Sequence, residues 1–297
     1  MLKPRVAWTI RSGAVVESFW KRQRRRLLKP ALNKLNRWTY ARYGDTRVYF
    51  KKHLDGGGNS FGQDFIPFLE LRRMPRQRRV FEWCAGPGFI GFSLLANGLA
   101  EILCLADVNP EAVEACRRTI AENGLADRIS VYRSDNLRDI PASERWDLVV
   151  SNPPHFTDDW IGDLRSYDAG WHLHREFFAN IGRFLNPGGV VVLQENNRGS
   201  TAETFSPMIE ANNLVMTFAA ECRVQRALYD RFYYIGVMRR GDPAPAWATD
   251  SDEVSVLSSA AIPGTGMVLS AATSRGSRPG QELPRTAQEE KTGSSAQ

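Results

Sequence analysis

Val80-Phe81-Glu82-Trp83-Cys84-Ala85-Gly86-Pro87-Gly88-Phe89-Ile90-Gly91 decides the fold of this chain. An apolar strand runs through glycines into a second apolar stretch, Phe89 to Ala96, that reads as a helix. The glycines let the backbone turn sharply and let a ligand approach closely. The first-turn N–H groups of the helix then face that ligand. Gly86-x-Gly88-x-x-Gly91 also satisfies the dinucleotide fingerprint, so the motif by itself fits more than one cofactor. Asp107 ends the next strand, Glu101 to Ala106, where a carboxylate can accept from both ribose hydroxyls under either reading.

Strands and helices alternate outward from this point. Strands are expected at Arg79 to Cys84, Glu101 to Ala106, Ile129 to Arg133, Trp146 to Val150 and Val190 to Gln194. Helices are expected at Phe89 to Ala96, Glu111 to Asn123, a short piece after Asn136, and Leu173 to Phe184. Such alternation implies a parallel sheet with helices on both faces. Asn213 to Cys222 and Leu228 to Met238 read instead as an antiparallel hairpin.

The fourth strand ends in Ser151-Asn152-Pro153-Pro154-His155. Asn-Pro by itself marks ordinary turns. At a strand end, however, Asn152 offers a side-chain carbonyl, and Pro153 offers a backbone carbonyl on a residue without an N–H. Two converging acceptors can hold both protons of a planar NH2 group. A flat side chain after the prolines can stack on the ring or amide that carries it.

Taken in order, these strand-end signals resemble class I S-adenosylmethionine-dependent methyltransferases with an Asn-Pro-Pro-aromatic motif. These form the amino- and amide-N-methyltransferase group of small-methyltransferase-domain type. The resemblance spans about Gly57 to Arg240. It implies an α/β, Rossmann-like fold: a mostly parallel seven-stranded sheet with an antiparallel last strand and helices on both faces. It implies S-adenosyl-L-methionine as cofactor, with contacts from Asp64, Glu82, Cys84, Gly86, Gly88, Asp107, Asn109, Asp135, Asn136 and Asn152. Asp64, in the Gly-rich segment His53 to Asp64 before a helix at Phe65 to Leu71, falls where relatives place an acid near the methionine end. It equally suits a helix cap. Asn152, Pro153, Pro154 and His155 are the implied catalytic group, with His155 and Phe156 against the substrate. Two residues depart from the pattern. Cys84 stands at a position that is often glycine, and His155 stands where relatives usually carry Tyr, Phe or Trp.

Adenine, cytosine and guanine amino groups and the glutamine amide all present a conjugated NH2. RNA is the expected substrate, through an adenine or guanine amino group; a protein glutamine or a small molecule is the alternative. Asp158, Asp159, Asp163 and Asp168 form an acidic lip after the motif, which is awkward for a phosphate backbone. Two further classes stay open: a non-catalytic S-adenosylmethionine-binding protein and an NAD-dependent oxidoreductase. Intact Glu82, Gly86, Gly88, Asp107 and Asn152 argue against the first, and Asn152 has no role in the second.

Charge is distributed unevenly over the 297 residues. Fifteen Lys or Arg and three acids lie between Met1 and Asp55, so the rest of the chain is acidic although the whole carries +6. Residues 1–52 are therefore expected to be a basic helical extension, best formed over Val15 to Asn36. Lys21-Arg22-Gln23-Arg24-Arg25-Arg26, with Trp20 and Trp38 nearby, suits nucleic acid, an anionic membrane surface, or simply a solvated basic face. Residues 53–240 are the expected methyltransferase domain. Residues 241–297, rich in Ser, Ala, Thr, Gly and Pro, are an expected disordered tail. No run of about 18 apolar residues exists, so no membrane span is expected. The scattered Cys84, Cys104, Cys116 and Cys222 suit reduced thiols of a cytoplasmic protein, or an organellar one if the basic start is a transit peptide. His172 and His174 lack cysteine partners, so no metal is expected, and the chain is expected to be a monomer.

Overall fold

A computed structural model describes residues 37–56, 58–157, 164–222 and 232–249. The first described element is a hairpin, β1 (Trp38–Tyr43) and β2 (Thr46–Lys51), turning at Gly44-Asp45 with Gly44 at φ +53°. This corrects the helical extension over its last third; the helix expected at Val15 to Asn36 lies outside the described residues. Tyr43, Val48 and Phe50 alternate onto the buried side, and Phe50 meets Phe89 edge-on at 4.9 Å. The hairpin is thus part of the domain and not an arm hung from it.

After helix α1 (Gly58–Leu71) come β3 (Gln77–Glu82), α2 (Phe89–Ala96), β4 (Ala100–Asp107), α3 (Pro110–Asn123), β5 (Ile129–Arg133) and β6 (Trp146–Ser151). Then follow α4 (His172–Ile181), β7 (Leu185–Asn196), α5 (Ala202–Glu210), β8 (Leu214–Cys222) and β9 (Phe232–Arg239). Sequence reading missed α5, because Pro207 interrupts its pattern. A Thr201–Thr204 capping box starts that helix all the same. The piece after Asn136 is a turn, not a helix.

Seven strands form one sheet in the order β5-β4-β3-β6-β7-β9-β8. β3 pairs in parallel with both β4 and β6, whereas β9 runs antiparallel to β7 and β8. This is the expected sheet. The strands are apolar on both faces because helices cover both. Val80, Leu103, Leu148 and Val192 face the hairpin, α1, α2 and α3. Phe81, Val149, Val191 and Ile235 face α4 and α5. Phe81 stacks on Trp146 at 4.0 Å, and Trp83 stacks on Phe177 at 3.9 Å. Truncating one such ring typically costs about 3–5 kcal/mol.

α3 lies along the open edge of β2. Thr119 Oγ1 accepts from Tyr49 N at 2.8 Å, and Asn123 Oδ1 accepts from Arg47 N at 3.0 Å. Side chains of a helix thereby satisfy an edge that water or another strand would otherwise take. At the other end, Gly241–Thr249 is not a free tail. Trp247 is buried, and Arg72 donates to Trp247 O and Thr249 O, each at 2.7 Å. Residues 250–297 lie outside the described set. No helix among the described residues is long and apolar enough to cross a membrane.

Candidate active site

Sheet topology selects the place. β3 has β4 on one side and β6 on the other, so chain connections leave it in opposite directions and open a crevice beyond the strand ends. A cavity of about 660 Å³ lies there. Its walls include Glu82, Cys84, Gly86, Asp107, Asn109, Asp135, Asn136, Asn152, Pro153, Pro154, His155 and Phe156. The strand-end residues read from sequence therefore converge on one cavity. Gly88 stands beside it at φ +82°, as N-cap of α2. A second cavity, of about 610 Å³, lies at the opposite strand ends near Arg78 and Asn186 and holds none of them.

Asp64 is the exception. α1 begins at Gly58, so Asp64 is a buried residue of its second turn and is not among the cavity walls. Leu54, Asp55 and Gly56 line the cavity from that segment instead.

Glu82 points its carboxylate at the start of α2. Oε2 accepts from Gly91 N at 2.6 Å and Oε1 from Ile90 N at 3.2 Å. Burial raises its carboxyl to about 8, against the pull of those two N–H groups. A Cβ on Gly91 would sit 2.7 Å from Leu103 and 2.8 Å from Glu82 Oε2, so only glycine lets helix and strand approach this closely. Cys84 holds φ +51°, the left-handed region that favours glycine, which accounts for glycine being common at this place in the motif. Burial also pushes its thiol well up, so it stays protonated and inert.

Asp107 organises the loop. Its Oδ2 accepts from Gly86 N at 2.7 Å and its Oδ1 from Asn109 N at 2.8 Å. Burial raises its carboxyl despite both bonds. Asn109 caps α3 by accepting from Glu111 N at 3.0 Å. Asp135 is exposed at the rim and tied to Arg138 at 2.8 Å. Asn136, at φ +56°, donates to Leu173 O and leaves its buried Oδ1 without a partner.

The Asn-Pro-Pro-His turn is fixed by residues that sequence reading did not find. Asn152 Nδ2 donates to Gln194 Oε1 at 2.8 Å, and Gln194 Nε2 donates to Tyr234 Oη at 2.7 Å. The Gln194 backbone carbonyl, which can only accept, lies 3.5 Å from the same Nδ2, and together these leave Asn152 Oδ1 as the acceptor end of the amide. His155 Nδ1 lies 2.9 Å from Pro153 O. A carbonyl cannot donate, so the neutral ring carries its proton on Nδ1 and uses one of the two lone pairs of that oxygen. Phe156 is buried against the cavity, edge-on to His155 at 4.6 Å.

Asp168 does not belong to an acidic lip. It is buried, and its backbone N donates to Phe156 O at 2.7 Å. Its carboxylate takes His174 Nδ1 at 2.7 Å, and Glu195 takes His174 Nε2 at 3.1 Å. Burial alone would lower the His174 imidazole, but the two carboxylates outweigh it and raise it to about 9. Asp158, Asp159 and Asp163 lie outside the described residues. Arg165 and Arg198 also line the cavity.

The donor set suits S-adenosylmethionine. Gly86 has open space where a Cβ would stand, and Asn136 Oδ1 is a buried acceptor awaiting a donor. Val108, next to Asp107, is 59% exposed at the cavity, where a flat base can cover it. The model of the methyltransferase small domain matches residues 43–217. The chain belongs to the methyltransferase small domain family. Its domain is a class I S-adenosylmethionine-dependent methyltransferase, and S-adenosylmethionine is its cofactor, which removes the nicotinamide reading.

The family domain is similar to the release factor glutamine methyltransferase of Clostridium acetobutylicum, at 28% identity over 141 residues, covering 42% of this chain and 49% of that one. It is similar to the ribosomal RNA small subunit methyltransferase C of Actinobacillus pleuropneumoniae, at 32% over 149 residues, covering 50% and 40%. M. jannaschii TYW2 in complex with AdoMet gives a TM-score of 0.48 at 15% identity, covering 68% of this chain and 86% of that one. The chain spans half or less of the length of these two curated relatives.

Proposed function

We propose that this domain methylates a conjugated NH2 group on nitrogen, and that the group belongs to an adenine or guanine base in RNA. The observation that carries the N-methyl reading is the Asn152 amide, turned by Gln194 so that its carbonyl is the end left to accept. Asn152 Oδ1 and the second lone pair of Pro153 O take the two protons of a planar NH2 and fix its plane. S-adenosylmethionine supplies a methyl already activated on a sulfonium. The two acceptors bind more strongly as the nitrogen gains positive character, which favours the transition state over the ground state. No general base is needed before transfer. His155 holds Pro153 O in place and presents a flat ring beside Phe156.

Support for RNA comes from Arg165 and Arg198 on the cavity wall, from the basic first 52 residues, and from the ribosomal RNA methyltransferase relative. A protein glutamine is the second reading, favoured by the release factor methyltransferase relative and by the same two acceptors, which fit a side-chain amide equally. Tritiated S-adenosylmethionine and cell extract separate them. RNase-sensitive label is the expected result; protease-sensitive label would replace RNA with glutamine.

A further inference from the structure

The hairpin carries a surface that the catalytic site does not use. In the β1–β2 register Trp38 faces Lys51, Tyr40 faces Tyr49 and Arg42 faces Arg47. Period-two alternation puts these six side chains on one face, opposite Tyr43, Val48 and Phe50. The face holds three aromatic rings and three cations, and no acid. Arg118 of α3 adds a fourth cation, 4.6 Å from the Trp38 ring and 5.3 Å from the Tyr49 ring. Arg47 lies over Tyr40 at 5.7 Å. Tyr40 is 53% exposed; among the described residues it and Val108 are the large apolar side chains left in solvent.

We propose that this face binds single-stranded RNA, stacking bases on Tyr40 and its neighbouring rings and taking phosphates on Arg42, Arg47 and Arg118. The inference rests on the RNA reading of the active site. Rings interleaved with guanidinium groups suit unpaired bases joined by phosphates. Acidic neighbours do exist. Lys51 is bound to Glu111 at 2.8 Å, Arg42 to Asp45 at 3.5 Å and Arg118 to Glu122 at 3.7 Å. The Arg42 and Arg118 pairs are partly or fully exposed and long, so a phosphate can replace the carboxylate at little cost. Arg47 makes no ion pair among the described residues.

Position and charge agree with this occupant. Lys51 sits over the first turn of α3, whose cap Asn109 lines the cavity, and the chain reaches cavity residue Leu54 three positions later. The Trp38–Lys51 rung is therefore the end nearest the active site. Three rungs extend roughly 13 Å along the strands. Residues 1–36, with ten basic residues and one acid, join the hairpin at that near end. RNA held on the ladder is thus directed toward the cavity mouth, where Arg165 and Arg198 stand.

The test uses the full chain, fluorescein-labelled 20-nucleotide polyuridine and the double variant Tyr40→Ala/Arg47→Ala. Both side chains are exposed, and an unchanged melting temperature checks the fold. The double variant should bind at least about tenfold more weakly, with a salt dependence shallower by about 0.7 for each phosphate no longer neutralised. S-adenosylmethionine affinity should not change. Photocrosslinks of the wild-type chain should map to Trp38, Tyr40 or Tyr49. Equal affinity together with crosslinks confined to other segments would overturn the proposal, and RNase-sensitive methylation in that same protein would leave the catalytic reading standing. Conversely, hairpin-dependent RNA binding with label only in protein would sustain the surface and remove RNA as the methylated substrate.

Discussion

Gln194 Oε1 accepts from Asn152 Nδ2 at 2.8 Å while Gln194 Nε2 donates to Tyr234 Oη at 2.7 Å. This fully buried amide on β7, together with its own backbone O at 3.5 Å from the same Nδ2, leaves the carbonyl end of the Asn152 amide to accept. Gln194→Leu removes the shorter of these two bonds and lets Asn152 turn its NH2 toward a donor. The expected loss is about ten- to a hundredfold in kcat, the size of one buried hydrogen bond, with little change in cofactor affinity. Steady-state kinetics beside calorimetric titration of S-adenosylmethionine check it. An unchanged kcat would show that Asn152 orients itself.

Asp107 binds one backbone N–H of the glycine loop, Gly86, and one of the turn into α3, Asn109, so it should serve the cofactor and not the methyl acceptor. Asp107→Ala should weaken S-adenosylmethionine by on the order of 2 kcal/mol, about thirtyfold. Calorimetry giving wild-type affinity would take Asp107 out of the site.

The Asp168–His174–Glu195 cluster predicts an alkaline loss of stability. His174, raised from 6.5 to about 9 in the folded state, contributes stability fully present below about 6.5 and lost as pH rises through about 9. A shift of that size is worth roughly 3 kcal/mol. Glu82, raised to about 8, and Asp107 and Glu195, also raised by burial, each cost the folded state as pH rises from their ordinary values, so wild-type melting alone mixes these groups with His174. Glu195→Gln keeps an acceptor for His174 Nε2 but removes the charge. Its alkaline decline in melting temperature should therefore move to lower pH. Superimposable curves for the two proteins would show that His174 is not held charged by Glu195.

The segment after Arg240 should behave as two parts. Removing residues 250–297 should leave the melting temperature unchanged. Removing residues 241–297 also strips Trp247 and the two carbonyls that Arg72 binds, and should destabilise by about 3 kcal/mol or more. Equal melting temperatures would mean that the Trp247 anchor contributes nothing.

What the sequence revealed follows from where the chemistry sits. Gly86, Asp107 and Asn152 each end a strand, so strand order alone brings them to one crevice. The hairpin was harder to see, because Arg37, Arg42, Arg47 and Lys51 made the segment read as a continuation of a charged arm. The alternation of Tyr43, Val48 and Phe50 around Gly44-Asp45 was the available signal. Gln194 and Glu195 gave no local signal. They matter only through Asn152, 42 positions away, and His174, 21 positions away, and such pairings are set by packing. The start of α1 at Gly58, which places Asp64 in a buried second turn, was not legible because Gly56, Gly57 and Gly58 read as loop.

The central claim is that Asn152 presents an acceptor to an incoming NH2 group, while the glycine loop and Asp107 hold the cofactor separately. Methyl transfer by Asn152→Ala, measured with tritiated S-adenosylmethionine and the extract fraction that the wild-type protein labels, tests it most directly. The account predicts a kcat lower by about a hundredfold or more, with cofactor affinity changed by less than about tenfold. Transfer at the wild-type rate would contradict it.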